Sequence, residues 1–387
     1  PGIVSRVGLA TFVDPRIEGG KVNKNTTEEL IEIVTLAGEE LLFYKAIKID
    51  VAFIRGTSAD PKGNISMERE ALRIDNLAQA MAAKNSNGLV IAQVEKIVEQ
   101  DSLNPRIVEV PGVMVDAVVL AKSENHVQTY ATVYSPYLDG NSKSPIEEIT
   151  PTPLDFRKVI CRRASLEVRK HCGVINLGIG VPEGVASVAR EEGWLGDVTL
   201  SAEPGVIGGQ PSSGLDFGTA INTDVIITQN QQFDFYDGGG LAAAVLGMAQ
   251  VGATGDVNVS RFGSRFTGAG GFINISQNAK NLIFCGAFKS GGLQVNVLDG
   301  YLEIEKEGKI QKFVNTVEQI TFSGDRAAKK AQSVLYITER CVFELLPGGI
   351  RLIEVVPGVD TEKDILSQMN FEPIIENLIE MDPNMFR

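Results

Sequence analysis

Histidine, cysteine and tryptophan are scarce in this chain: two, four and one among 387 residues. His126 and His171 alone cannot build a histidine-rich metal centre. Cys161, Cys172, Cys285 and Cys341 are widely spaced and form no CxxC pair, which argues against a zinc site and against a disulfide scaffold. Positive charge is also short, with 36 Lys and Arg against 49 Asp and Glu and a formal net charge of -13. Nucleic-acid binders carry a basic footprint, so that class is not expected. Small anionic ligands stay open, because backbone amides and a few cations can hold them. No apolar run reaches the roughly 18 residues of a membrane span, and no secretory leader pattern is visible. The expectation is a soluble, non-membrane protein of the cytoplasm, or of the mitochondrion if the source is eukaryotic. The Pro1 start, without an initiator Met, reads as a processed or partial chain.

What the chain has is apolar mass. At 43% hydrophobic residues it can bury large cores, and its length exceeds the usual single core, so two domains are expected. In the first half, short β-branched patterns at 3–13 and 27–36, with Leu41–Tyr44, Ile47–Ile54, Leu89–Val98 and Val115–Ala121, read as strands. Met67–Lys84 reads as a helix, and Asp60–Gly63 as a turn. Tyr137–Pro153, poor in core residues and rich in proline, reads as a linker or exposed crossover. Phe156–His171 is then a helix ended by Gly173. In the second half Val174–Leu177, Val198–Leu200, Val225–Thr228, Asp256–Val259, Leu282–Ala287, Val295–Leu298, Val334–Glu344 and Ile350–Val356 read as strands. Helices are expected from Pro182 to Glu192, over Gly238–Val251, over Thr361–Asn370 and over Pro373–Met381. Tyr301–Val314 reads as a hairpin turning at Glu305–Lys309. Strands alternating with helices specify an α/β class.

Four segments carry candidate chemistry. In Val198–Gly209 an apolar strand runs into Glu203 and then a Pro-Gly turn. Loops at the carboxyl ends of strands in α/β proteins carry ligands, and neighbouring glycines let a ligand come close. Glu203 is therefore a candidate nucleophile, the alternative being an ordinary surface turn. Asn176–Pro182 places Gly178 and Gly180 between a strand and a helix, where backbone amides can hold a phosphate or a carbonyl oxygen. It is not the dinucleotide fingerprint, since the third glycine position is Glu183, and a structural turn remains open. Arg261–Gly271 sets Arg261 and Arg265 among Gly263, Gly268, Gly270 and Gly271, a cradle for an anion or a solvent-facing loop. Phe233–Gly240 offers Phe233, Phe235 and Tyr236 as walls of an acyl pocket or as core, and Asp237 as a cap for the following helix. His171-Cys172 lacks a geometry that sequence can show. Ser201 lacks the G-x-S-x-G context of a hydrolase nucleophile.

The stretches Gly8–Arg16, Glu18–Gly20, Phe43-Tyr44, Asp50–Thr57, Gly63–Glu68, Asn176–Glu183, Ser201–Gly209 and Gly255–Gly271 together resemble the class I coenzyme A-transferases, in the short-chain acyl (acetate or propionate) branch. The resemblance spans nearly the whole chain. It implies two similar open α/β domains, with 1–136 as the remainder of the first, 137–153 as linker and 154–387 as the second. It makes Glu203 the catalytic carboxylate and puts Gly178 and Gly180 beside the thioester. It assigns Gly268, Gly270 and Gly271 to coenzyme A, for which Arg261 and Arg265 of the same segment are the candidate phosphate partners read above. It implies transfer of CoA from a short-chain acyl-CoA to a carboxylic acid by a ping-pong route through a glutamyl-CoA thioester. Neither metal nor bound cofactor is needed, coenzyme A being a substrate. Relatives begin with about 130 further residues, so an N-terminal segment of the same enzyme, possibly a separate chain, is an expected partner, together with homo-oligomer formation. An acyl-CoA hydrolase and a non-catalytic transferase-like subunit are the competing readings.

Overall fold

Consecutive apolar residues build strands covered on both faces, as parallel sheets require. The structure, a computed structural model, describes residues 2–145 and 151–387; residues 146–150 of the expected linker lie outside the described residues. Contacts divide the chain into two compact units interleaved in sequence. The larger comprises residues 1–45, 148–198 and 236–387, and the smaller 46–147 and 199–235.

In the larger unit four parallel strands lie side by side in the order Val174–Leu177, Leu241–Gly247, Asn281–Cys285 and Ser333–Ile337. Cys341–Leu346 and Gly349–Val355 continue the sheet antiparallel, and Ile374–Glu380 closes that side parallel to its neighbour. The helix Phe156–Val168 packs against Asn281–Cys285 and Ser333–Ile337. Asp155 caps this helix, its carboxylate accepting from the amides of Arg157 at 2.9 Å and Lys158 at 3.0 Å. Arg163, on the same helix, makes two contacts with Glu354 at 2.7 and 2.6 Å. That bidentate geometry suits a guanidinium and fixes its direction. Gly2–Ser5, Ile31–Leu36 and Glu39–Lys45 form a separate antiparallel sheet with Glu39–Lys45 at its centre.

Four expectations are corrected here. Gly238–Val251 is not a helix: Leu241–Gly247 is a strand between two parallel neighbours, followed by the short strand Gln250–Gly252. Gly238–Gly240 disfavour helix entry, and small buried side chains such as Ala243 and Ala244 suit a strand at the centre of a sheet. Pro373–Met381 is likewise a strand, Ile374–Glu380, in keeping with its β-branched content. The hairpin around Tyr301 turns at Asp299-Gly300, where Gly300 has φ +86°, because Tyr301–Lys306 pairs backwards with Gln294–Leu298. Val334–Glu344 is two strands, Ser333–Ile337 and Cys341–Leu346, folded at Thr338, whose amide and hydroxyl both donate to the Cys341 carbonyl.

The smaller unit holds a five-stranded sheet in the order Val108–Val110, Ile65–Ser66, Val51–Ala59, Leu89–Ile97 and Ala117–Leu120, the last three strands mutually parallel. Its core joins Ala52, Ile54, Val90, Ala92 and Val94 to Ala80 and Ala83 of the helix Asn76–Asn85. That helix starts nine residues later than the apolar pattern from Met67 predicts. The intervening residues form turns: Glu68 accepts from the hydroxyls of Ser58 and Ser66, and Ile74 takes a left-handed φ of +50°. A β-branched residue there is strained; its carbonyl accepts the Gln229 amide at 2.7 Å.

Candidate active site

Glu203 stands at the tip of a hairpin in the smaller unit. Thr199–Ala202 pairs antiparallel with Val206–Ile207, Ala202 facing Val206, which leaves Glu203, Pro204 and Gly205 as the turn. The Gly205 amide donates to the Ala202 carbonyl at 3.1 Å, and its own carbonyl accepts from Ile227 at 2.8 Å. Gly205 has φ +114°, and a Cβ there would overlap the Ile227 carbonyl oxygen. Gly208, at φ +74°, lies so close to Asp224 that a side chain would strike its carboxylate. Gly205 is thus required by close backbone approach, and Gly208 by its left-handed φ beside the Asp224 side chain. Behind the turn Ala202, Val206 and Ala220 form a small buried cluster with Leu72 packed on it. Glu203 is half-buried as a residue and borne on pinned backbone, which is what a positioned nucleophile needs.

The remaining candidates fall in both units. Gly178 is buried in the larger unit, where its amide donates to the Val245 carbonyl at 2.8 Å. Gly180 is exposed at φ +89°, and its amide is taken by the Glu183 carboxylate at 2.7 Å, which opens the short helical turn Val181–Glu183. Arg261-Phe262 and Arg265-Phe266 are the two arms of a tight hairpin. Arg261 lies 3.5 Å from Glu18, whereas Arg265 is exposed. Gly268 and Gly270 have φ of +81° and +51°, and Gly271 precedes the helix Phe272–Asn278.

A cavity of about 370 Å³ in the larger unit is lined by Ala269 and Gly270 of this glycine run, with Gly8, Phe12, Tyr44 and Asn274. Burial, aided by the charges of Asp14 and Asp237, pushes the Tyr44 hydroxyl up to about 12; it donates to the Val7 carbonyl at 2.6 Å. Asp237 does not cap a following helix, because no helix follows it; it ends the helix Gln229–Asp237. Its carboxylate accepts from Asn274 at 3.0 and 3.1 Å and from Asn278 at 3.1 Å. It thereby fixes the helix that the glycine run precedes, a role its sequence position did not reveal. Within Gln229–Asp237, Tyr236 is fully buried and Phe235 is 41% exposed, with Phe233 between these extremes. Helical spacing sets Tyr236 near the face of Phe233 and turns Phe235 away from it. Among the described residues no group of three or more His, Cys, Asp or Glu side chains could hold a metal ion, and no helix is long and apolar enough to cross a membrane.

Known proteins are similar to this sequence over its whole length. A family model described as Coenzyme A transferase matches residues 1–121. The caffeate CoA-transferase of Acetobacterium woodii is 48% identical across the entire chain, which spans 75% of that protein. The chain belongs to the coenzyme A transferase family. The acetate CoA-transferase YdiF of Escherichia coli K12 is 43% identical, again across the entire chain and 72% of the relative. The crystal structure of the YdiF apoenzyme from E. coli O157:H7 superposes with a TM-score of 0.94 at 42% identity, covering all of this chain and 73% of that one. A second structure of that protein, its thioester complex with CoA, gives 0.91. The coenzyme A transferase fold of two α/β domains is therefore the fold of this chain.

Proposed function

We infer that this coenzyme A transferase moves CoA from a short-chain acyl-CoA to a free carboxylic acid, with Glu203 as nucleophile. The observation that carries the reading is the half-buried Glu203 at the tip of a glycine-pinned hairpin. The reaction balances without a cofactor. The Glu203 carboxylate attacks the thioester carbonyl and expels the CoA thiolate, leaving a mixed anhydride. The thiolate attacks the glutamyl carbonyl, which forms a glutamyl-CoA thioester and releases the first acid. The acceptor carboxylate attacks that thioester, re-forming an anhydride and the thiolate. Attack of the thiolate on the new acyl carbonyl yields the new acyl-CoA and restores Glu203. This is covalent catalysis in ping-pong order. Each tetrahedral intermediate carries an oxyanion, which backbone donors stabilise.

The relatives' names cover acetate and caffeate; acetate, propionate and similar small acids are the acceptors we assign to this chain. Gly178 and Gly180 are assigned beside the thioester, and Gly268, Gly270, Gly271, Arg261 and Arg265 to coenzyme A. Phe233, Phe235 and Tyr236 are assigned to the acyl side. We assign the two domains of the family to 1–136 and 154–387, joined by 137–153, a division along the chain that the compact units interleave. A preceding segment of the same enzyme, self-association and a cytoplasmic location (mitochondrial in a eukaryote) complete the assignment. The test is Glu203→Asp, which withdraws the carboxylate by one methylene. Transfer from propionyl-CoA to acetate, followed by product analysis, should fall at least about 10³-fold with melting temperature unchanged. Turnover at the wild-type rate would refute the nucleophile assignment. Acid release without transfer would show a hydrolase instead.

A further inference from the structure

A second cavity, about 340 Å³, lies wholly within the smaller unit. That volume is at the low end of small-molecule sites, about 300–1,000 Å³. Its apolar walls include Met67, Leu72, Ile74 and Phe217. The polar groups among them are mostly committed. Gln128 donates to the Arg69 carbonyl at 2.9 Å and accepts from the Ser135 amide at 2.8 Å. Asp216 accepts from the hydroxyls of Thr129 and Thr132. Asn76 donates to the Arg73 carbonyl and accepts from the Arg55 amide.

Arg55 is only partly committed. Its Nε donates to Glu70 Oε2 at 2.7 Å, and its terminal nitrogens make no hydrogen bond among the described residues. The side chain retains 34% of its exposure, against 7% for Glu70. The arginine is held from behind by a relay. Glu70 Oε1 lies 3.1 Å from His126 Nε2, and Gln93 donates to His126 Nδ1 at 3.2 Å. With the Gln93 amide donating to Nδ1, Nε2 is the ring nitrogen able to donate to Glu70. Both oxygens of Glu70 are thus occupied on the protein side, and the guanidinium edge is left for a ligand. A guanidinium fork held in place matches a carboxylate.

We propose that this cavity binds a small monocarboxylic acid with an apolar tail, its carboxylate on the Arg55 terminal nitrogens and its tail against Leu72, Ile74 and Phe217. The proposal does not use the covalent role of Glu203, although Leu72 also packs on the cluster behind the Glu203 turn, so it stands whether or not that assignment holds. The carboxylate replaces water on a donor pair that no protein group satisfies. The tail buries apolar surface on walls that otherwise face solvent.

Calorimetric titration with hexanoate and with hexanamide, in the absence of CoA, tests this. Hexanoate should bind saturably, and hexanamide at least about tenfold more weakly, since a charged hydrogen-bonded pair is replaced by a neutral one. Arg55→Met should weaken hexanoate by a similar factor. So should Leu215→Trp, which fills the cavity mouth from a residue 70% exposed and so leaves folding intact. Glu203→Gln should leave this binding unchanged. Equal binding of acid and amide would overturn the proposal, as would wild-type affinity in Leu215→Trp or loss of binding in Glu203→Gln. If Arg55→Met does not fold, the other arms decide.

Discussion

Lys312 carries its ammonium into the protein interior, where it is 6% exposed and donates to the Ala287 carbonyl at 2.8 Å. Burial lowers its pKa from 10.5 to about 8, against the opposing pull of Glu339. The sign of the pH effect follows. Between about pH 8 and 10.5 the unfolded chain holds a proton at this lysine that the folded chain has released, so its contribution to stability rises with pH. Below pH 8 both states are protonated and the folded state bears the full cost of the buried charge. Denaturant unfolding of wild type and Lys312→Met should therefore show a difference that shifts in favour of wild type from pH 8 to 10.5. A difference constant across that window would contradict the burial account. Taking wild type minus variant cancels the thiols and phenols that titrate nearby, among them Cys161, pushed up to about 12 by burial. At this scale the sequence is legible where backbone geometry is local. Glu203 and its glycines could be singled out because turn geometry and close approach leave marks on neighbouring positions. The pairing of Arg55 with Glu70 and His126 left no such mark, since the three meet across separations of 15 and 56 residues.

The hairpin that bears Glu203 is the element on which the site depends. Gly205→Ala would force a side chain into the Ile227 carbonyl at a φ of +114°. We expect a loss of at least about 2 kcal/mol in stability and a disproportionate loss of transfer activity, because the turn carries Glu203, the nucleophile we propose. A variant as stable and active as wild type would show the hairpin to be looser than drawn. The helix Phe156–Val168 gives a second test at this scale. Asp155→Ala removes a carboxylate that satisfies two end amides and should cost about 1 kcal/mol, with Asp155→Asn recovering most of it. No change in the denaturation midpoint would show that the cap is not formed in solution. This capped helix was legible from sequence, though it ends at Val168 rather than His171. Leu241–Gly247 was not: alanine and glycine favour no strand by themselves, and only its place between two parallel neighbours decides its state. Ile374–Glu380 was misread for a related reason, its apolar spacing fitting a short helix until the pairing with Gly349–Val355 is known.

For the whole molecule, the α/β class and two-domain character were legible because strands and helices alternate and the chain exceeds one core. The interleaving of its compact units was not, since the segment 199–235 joins 46–147 through contacts that no local pattern announces. The same segment brings the Glu203 hairpin against Leu72 of the smaller unit. That packing explains how a carboxylate late in the chain rests on residues from its first half. It also fits a reaction in which one rigid group is acylated and deacylated in turn. The measurement that tests this most directly is peptide mass analysis after incubation with propionyl-CoA alone and reaction with hydroxylamine. A hydroxamate at Glu203, absent from Glu203→Gln and without acylation elsewhere, is the predicted result. A Glu203 peptide of unchanged mass from enzyme that still transfers CoA would contradict the account.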